Sequence, residues 1–104
     1  MIMVMEYSHQ KPMLTLSVAA EMVKVHPRTL MIYDKLGLVK PLRTKTNRRH
    51  YSLANIEELK FIQYLTQEKG LNLTGIKFLL EAIKITKTHN FNLKKQLFPD
   101  FTLG

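Results

Sequence analysis

The chain has 104 residues and a formal charge of +8, from 16 Lys and Arg against 8 Asp and Glu; the length suits one domain with a genuine core but not two, and the charge favours a polyanionic partner. With no cysteine, disulfides, thiolate metal ligation and a cysteine nucleophile are excluded. No apolar run approaches the roughly 18 residues of a membrane span, and the opening MIMVM is too short for a signal-peptide core, so the expected location is cytoplasmic. Met1 to Leu14, which includes Ser8, His9, Gln10, Lys11 and Pro12, has no clear period and reads as a loosely attached N-terminal arm. Lys11 is its only cation, which argues against a role on nucleic acid.

From Thr15 the signals sharpen. Ser17 is a candidate N-cap, and Val18, Ala19, Met22 and Val23 recur at helical steps on one face of a short first helix. Val25 lies in the turn. His26-Pro27-Arg28 then opens a second helix, with proline at the first helical position, where its missing donor costs nothing. So quick a restart is helix-turn-helix spacing. Leu30, Tyr33 and Leu36 are expected to face inward, and Gly37 to end the helix in the left-handed conformation. Arg28, Thr29, Met31 and Ile32 remain near the helix start and on its outer side. Past Pro41, Leu42-Arg43 and Arg48 to Tyr51 read as two extended pieces around the polar tip Thr44-Lys45-Thr46-Asn47.

All four arginines, Arg28, Arg43, Arg48 and Arg49, fall within this helix and hairpin. The guanidinium is a planar fork that grips phosphate or the guanine edge at two points. The half of the chain up to His50 holds five lysines and four arginines against three acids, net +6, while the half from Tyr51 onward is only +2. The positive field is therefore concentrated where the helix-turn-helix lies.

Ser52 is expected to cap a third helix with an apolar stripe of Ile56, Leu59, Ile62 and Leu65, widened by Phe61 and Tyr64. Lys69-Gly70 is a stop signal. Asn72 is expected to cap a fourth helix whose Ile76, Leu79, Leu80 and Ile83 face the core. Phe78, Ala82 and Ile85 spread its apolar surface beyond one stripe, so that either core packing or a second copy of the chain must cover them. Beyond Lys87, Phe91, Leu93, Leu97, Phe98, Phe101 and Leu103 are too apolar for a solvated tail, yet Pro99 interrupts any helix. The tail can fold back, complete a dimer seam or dock on another protein.

The run from Thr15 through Gly75 resembles the MerR family of bacterial transcriptional regulators, and the segments HPRTL, YDKLGLVKP, RRHYS and GLNLTGIK, the last reaching Lys77, closely resemble its heat-shock repressor (HspR) subgroup. The resemblance implies a mainly α fold with a small β-hairpin wing, a winged helix-turn-helix DNA-binding domain. On that reading residues 1–14 are the arm, 15–86 the DNA-binding domain and 87–104 a tail for dimer or partner contact. The chain ends too soon for a separate ligand-binding domain. Two positions depart from the family pattern: Met31 stands where an arginine is usual, and Asn47 where the wing tip usually has glycine, although asparagine tolerates the same left-handed turn.

The expected DNA-binding residues are Arg28, Thr29, Tyr33, Arg43, Lys45, Arg48, Arg49 and Tyr51. Arg28 opposes the positive end of the helix dipole, which favours a functional reason for it. Thr29 either meets DNA or satisfies the first turn. Tyr33 is expected in the core with its hydroxyl reaching a phosphate. Arg43, Lys45 and Arg48 are expected to neutralise phosphate, and the resemblance implies backbone contacts for Arg49 and Tyr51. The second helix would enter the major groove of double-stranded DNA with the wing along the adjacent backbone, Arg28 and Arg49 reaching one duplex together, and a homodimer would read an inverted repeat. The subgroup implies repression of stress or chaperone genes with a DnaK-type chaperone as co-repressor. No catalytic constellation, metal-ligand spacing or cofactor motif is present: His9, His26, His50 and His89 are scattered, and Glu57-Glu58 point to different faces. The competing readings are an excisionase-like or architectural DNA-bending protein, and an adaptor whose apolar tail docks on a chaperone.

Overall fold

The computed structural model describes residues 9–101, so most of the expected arm, and Leu103, lie outside the described residues. Where the length suggests one domain, the chain forms two compact units, the first ending at Lys60 and the second beginning at Phe61. The elements in chain order are β1 (Leu14–Thr15), α1 (Leu16–Met22), α2 (Pro27–Lys35), β2 (Leu42–Arg43), β3 (Arg49–Tyr51), α3 (Leu53–Gln67), α4 (Leu73–Thr88) and α5 (Leu93–Leu97). None of these helices is long and apolar enough to cross a membrane.

In the first unit, α1 is capped two residues earlier than expected. Thr15, not Ser17, is the N-cap, its side chain accepting from the Val18 amide at 3.3 Å. The inward face is Ala19, Ala20 and Val23, and Val18 and Met22, expected on it, are exposed. The helix closes with Lys24 in the left-handed conformation at φ 59°, the Val25 amide donating to Ala20 and the Lys24 amide to Glu21. This paired arrangement is the Schellman motif, which satisfies carbonyls that the helix itself leaves open. The same closure recurs at Gly37 (φ 76°) after α2 and at Asn90 (φ 60°) after α4. Only the glycine was legible as a left-handed stop.

The sheet holds three antiparallel strands in the order β1-β3-β2. The hairpin pairs Leu42 with His50 and Arg43 with Arg49, and β1 adds Leu14 opposite Tyr51 and Thr15 opposite His50. Leu14, placed in the arm by the sequence reading, is thus a strand residue; two residues are too few for an alternating pattern to show. Ser52 caps α3 as expected, accepting from the Asn55 amide at 3.0 Å, while the Asn55 side chain returns a bond to the Ser52 amide at 2.9 Å. This reciprocal box satisfies two open donors at once.

The first unit buries Ala19, Ala20, Val23, Leu30, Tyr33, Leu38, Val39, Tyr51, Ile56 and Leu59. In the second unit Phe61, Ile62, Leu65 and Ile76 are buried, and Asn72 caps α4 by accepting from the Gly75 amide at 2.7 Å. Leu79, Leu80 and Ile83 are only half-buried, so the expected inward face of α4 reduces to Ile76. Within the second unit the tail folds back. Asn92 caps α5, and Phe98 and Phe101 pack on Phe61 and Tyr64 with ring centroids 4.8–5.8 Å apart. Lys94 places its ammonium 4.2 Å from the Phe61 ring centre, a cation over the electron-rich face.

Tyr51 fills the first unit at 0% exposure, and its hydroxyl has no hydrogen-bond partner. Burial raises its pKa above the ordinary 10.0, with Arg49 pulling it down, Asp34 pushing it up and Arg43 pulling it down. Tyr33 is raised by burial as well. The folded chain therefore keeps these protons to higher pH than the unfolded chain, so the stability linked to them is complete below about pH 10 and lost as pH rises through the folded values. Denaturant titrations at pH 7 and above pH 10 are expected to show Tyr51→Phe unchanged or more stable by up to ~1 kcal/mol at neutral pH, since an unpaired buried hydroxyl contributes nothing. The variant is also expected to lose less stability at alkaline pH than the parent. A clear loss at neutral pH would show that the hydroxyl is bonded.

Candidate nucleic-acid interface

The second helix is prepared at both ends. His26 caps it, its Nδ1 accepting from the Arg28 amide at 3.0 Å, and Pro27 takes the first helical position. At the far end Gly37 donates to Asp34 and Leu38 to Tyr33, at 3.0 and 2.9 Å. Leu30 and Tyr33 anchor the inner face. Leu36, expected beside them, is exposed, because as the C-cap it lies where the chain is already turning away. The outer face is left to Arg28, Met31, Ile32 and Lys35, spaced at i, i+3, i+4 and i+7. Such spacing forms a single stripe.

The feature the sequence reading missed is Asp34. Its Oδ2 accepts from Arg49 Nε at 2.7 Å and from an Arg43 terminal nitrogen at 3.1 Å. One carboxylate on α2 thus holds one arginine from each strand of the wing. The Asp34 and Arg49 side chains are largely withdrawn from water, where a charge-assisted bond contributes about 1.5–3 kcal/mol. Arg43 is more exposed, and its share is correspondingly smaller. A signal existed: Asp34 is the one acid between Glu21 and Glu57, in the stretch that holds every arginine.

The wing tip is fixed from within. Asn47 adopts φ 63° and donates its amide to Thr44 at 2.8 Å, which bears out the expectation that asparagine serves in the left-handed position. Thr44 donates to the Arg48 carbonyl and accepts the Arg48 amide on its hydroxyl at 3.1 Å. Arg43 spans the turn, donating to Asn47 Oδ1 at 3.1 Å.

These elements bring three of the eight expected residues, Arg28, Arg43 and Arg49, to one concavity. Arg28, Met31, Ile32, Asp34, Lys35, Arg43 and Arg49 line one open concavity between α2 and the wing, so Arg28 and Arg49 lie on the same side of the unit. Arg48 and Arg49 also line a neighbouring concavity beside Thr15 and Ser17. Among the described residues the side chains of Arg28, Lys45 and Arg48 make no hydrogen bond or ion pair, and Arg49 bonds through Nε alone. Thr29 is half-buried in the first turn, its amide held by His26 at 2.9 Å. Tyr33 is in the core, as expected. Tyr51 must be corrected: with no exposed surface it supports the wing from below and has no surface with which to touch a ligand. Its place in β3 turns it toward the interior, while Arg49 on the same strand is partly exposed. Among the described residues no cluster of His, Asp or Glu could hold a metal ion.

Asp34→Ala is expected to release both arginines and leave Arg49 half-buried without its partner, lowering stability by about 1–3 kcal/mol. Amide exchange at Arg48 to Tyr51 is expected to accelerate more than exchange in α3. Equal protection of the wing in parent and variant would show that strand pairing alone positions it.

Residues 14–83 match the MerR HTH family regulatory protein family. A Streptomyces coelicolor protein assigned as heat shock protein HspR is 46% identical over 76 residues, covering 73% of this chain and 50% of that protein. The HTH-type transcriptional regulator GlnR of Bacillus cereus is 32% identical over 81 residues, covering 71% of this chain and 62% of GlnR. The chain therefore spans about half to two thirds of the length of these relatives. Among solved structures, the fold is similar to that of HiNmlR, a MerR family regulator lacking the sensor domain and bound to promoter DNA, with a TM-score of 0.59 and 25% identity over 80% of this chain and 71% of that one. The family match covers the helix-turn-helix, the wing and most of α4, and on that basis the chain belongs to the MerR family of helix-turn-helix regulatory proteins.

Proposed function

We propose that this protein is a sequence-specific DNA-binding transcriptional regulator of the HspR kind, a repressor of stress or chaperone genes that acts from the bacterial cytoplasm on the nucleoid. The observation that carries the reading is the shared concavity in which Arg28 and Lys35 of α2 face Arg43 and Arg49 of the wing. In this reading α2 enters the major groove and the wing follows the neighbouring phosphates. Arg28, Thr29, Arg43, Lys45, Arg48 and Arg49 make the direct contacts. Tyr33 and Tyr51 act by supporting the two elements. The HiNmlR structure, with promoter DNA bound, supports the choice of ligand, and the HspR relative supports the choice of regulon.

The protein acts as a homodimer on an inverted repeat. Phe78 is 73% exposed, and Ile85, seven residues further along the same helix, is exposed with it. Covering two such side chains gains roughly 1.5–3 kcal/mol each, and a second copy presents the same apolar surface in return. A DnaK-type chaperone serves as co-repressor, as the HspR likeness suggests. Light scattering is expected to show a dimer that Phe78→Glu dissociates; a parent that is monomeric at every concentration would remove the dimer from this reading.

Binding to promoter fragments over a range of salt tests the interface. Arg49→Ala is expected to weaken all duplexes about equally and to reduce the slope of log K against log salt by about 0.9, one phosphate's share. Arg28→Ala is expected to change the ranking among duplexes. An Arg49 variant with the parent's affinity and slope would remove the wing from the interface, and parallel weakening by Arg28→Ala would make that residue a positioning contact.

A further inference from the structure

The outer stripe of α2 is not uniformly cationic. Met31 is 41% and Ile32 43% exposed, adjacent on the helix surface, with Arg28 before them and Lys35 after them, and all four line the concavity shared with the wing arginines. A single exposed apolar side chain is ordinary. Two side by side, in a concavity lined by Arg28, Lys35, Arg43 and Arg49, are a specific juxtaposition. Val18 and Met22 on α1 are similarly exposed but lie outside that concavity. From Arg28 to Lys35 the helix rises about 10 Å, close to three base-pair steps at 3.4 Å. A ligand that suits this stripe carries negative charge on its flanks and apolar knobs between them.

We infer that Met31 and Ile32 read thymine, by packing on the C5-methyl groups that thymine displays in the major groove. The inference rests on the DNA-binding reading above and deepens it. Phosphates satisfy the cations on both sides, and the apolar pair meets the one apolar group that distinguishes a base edge in that groove. Neither side chain has a hydrogen-bonding group with which to read a donor or acceptor, so the information they take from the duplex is the presence or absence of the methyl. Their preference is therefore for A·T pairs of a given orientation under the middle of α2, while Arg28 takes whatever guanine edge or phosphate lies at the helix start.

The test starts from the duplex that the full chain selects out of a randomised pool. That duplex is resynthesised with one thymine at a time replaced by uracil, which pairs identically but lacks the methyl. One or two such replacements per half-site are expected to weaken the parent protein by roughly three- to fivefold, the share of a single methyl removed from water. A Met31→Ala, Ile32→Ala double variant is expected to bind the thymine duplex as weakly as the parent binds the uracil one, and to be indifferent to the same replacements. Both side chains are on the surface, and should the double variant nevertheless fail to fold, the uracil scan with the parent alone decides. If a preferred duplex emerges and every uracil version binds as well as the original, methyl reading is overturned and the regulator reading stands. If no duplex is preferred and binding is insensitive to salt, the regulator reading falls and this inference with it.

Discussion

One carboxylate decides the shape of the basic surface. Asp34 projects from the last turn of α2 and takes a hydrogen bond from an arginine on each strand of the wing. Without it, a helix and a hairpin carrying four arginines between them would face each other with uncompensated positive charge. Asp34 neutralises part of that repulsion where the side chains are largely shielded from water, where charge-charge energies are largest. Arg28, Lys45 and Arg48 are left without side-chain partners among the described residues, and Arg49 engages Asp34 through Nε alone.

The support beneath this clasp is apolar and tightly specified. Leu30 and Tyr33 hold the inner side of α2, Tyr51 holds the inner side of β3, and all three are buried. Alternation along β3 sends Arg49 and Tyr51 to the same face of the sheet, the arginine at the rim and the tyrosine beneath. That gives Tyr51 a structural role rather than the contact role that resemblance alone implies. The addition of β1 makes β3 the central strand, so the wing is tied both to the hairpin partner and to the start of α1.

The second unit is organised by a different chemistry. Phe98 and Phe101 return to Phe61 and Tyr64, and offset and edge-to-face ring pairs of this kind contribute about 0.5–1.5 kcal/mol each beyond the area they bury. The result is an anchored tail, while Phe78 and Ile85 on α4 stay outside the cluster and exposed.

Much of the fold was legible in the residues themselves. Pro27 at a helix start, Gly37 at a helix end, Ser52 and Asn72 as caps and the stripe Ile56, Leu59, Ile62 and Leu65 are local signals, acting within a turn or two of the chain, and each appears where it was read. The motifs HPRTL, YDKLGLVKP and RRHYS were likewise enough for the family. Other features had no local signature. Lys24 and Asn90 adopt left-handed conformations that only the closure of their helices imposes, and the two-residue strand β1 exists because β3 offers it an edge. The pairing of Asp34 with Arg43 and Arg49 spans 9 and 15 residues of sequence. What the sequence by itself determined was the order of elements and the identity of the basic surface, because capping, periodicity and charge are properties of neighbours along the chain. Which arginines are held and which are free, and that Tyr51 is inside, only the tertiary structure decided, because burial and ion pairing depend on groups that meet when the chain folds.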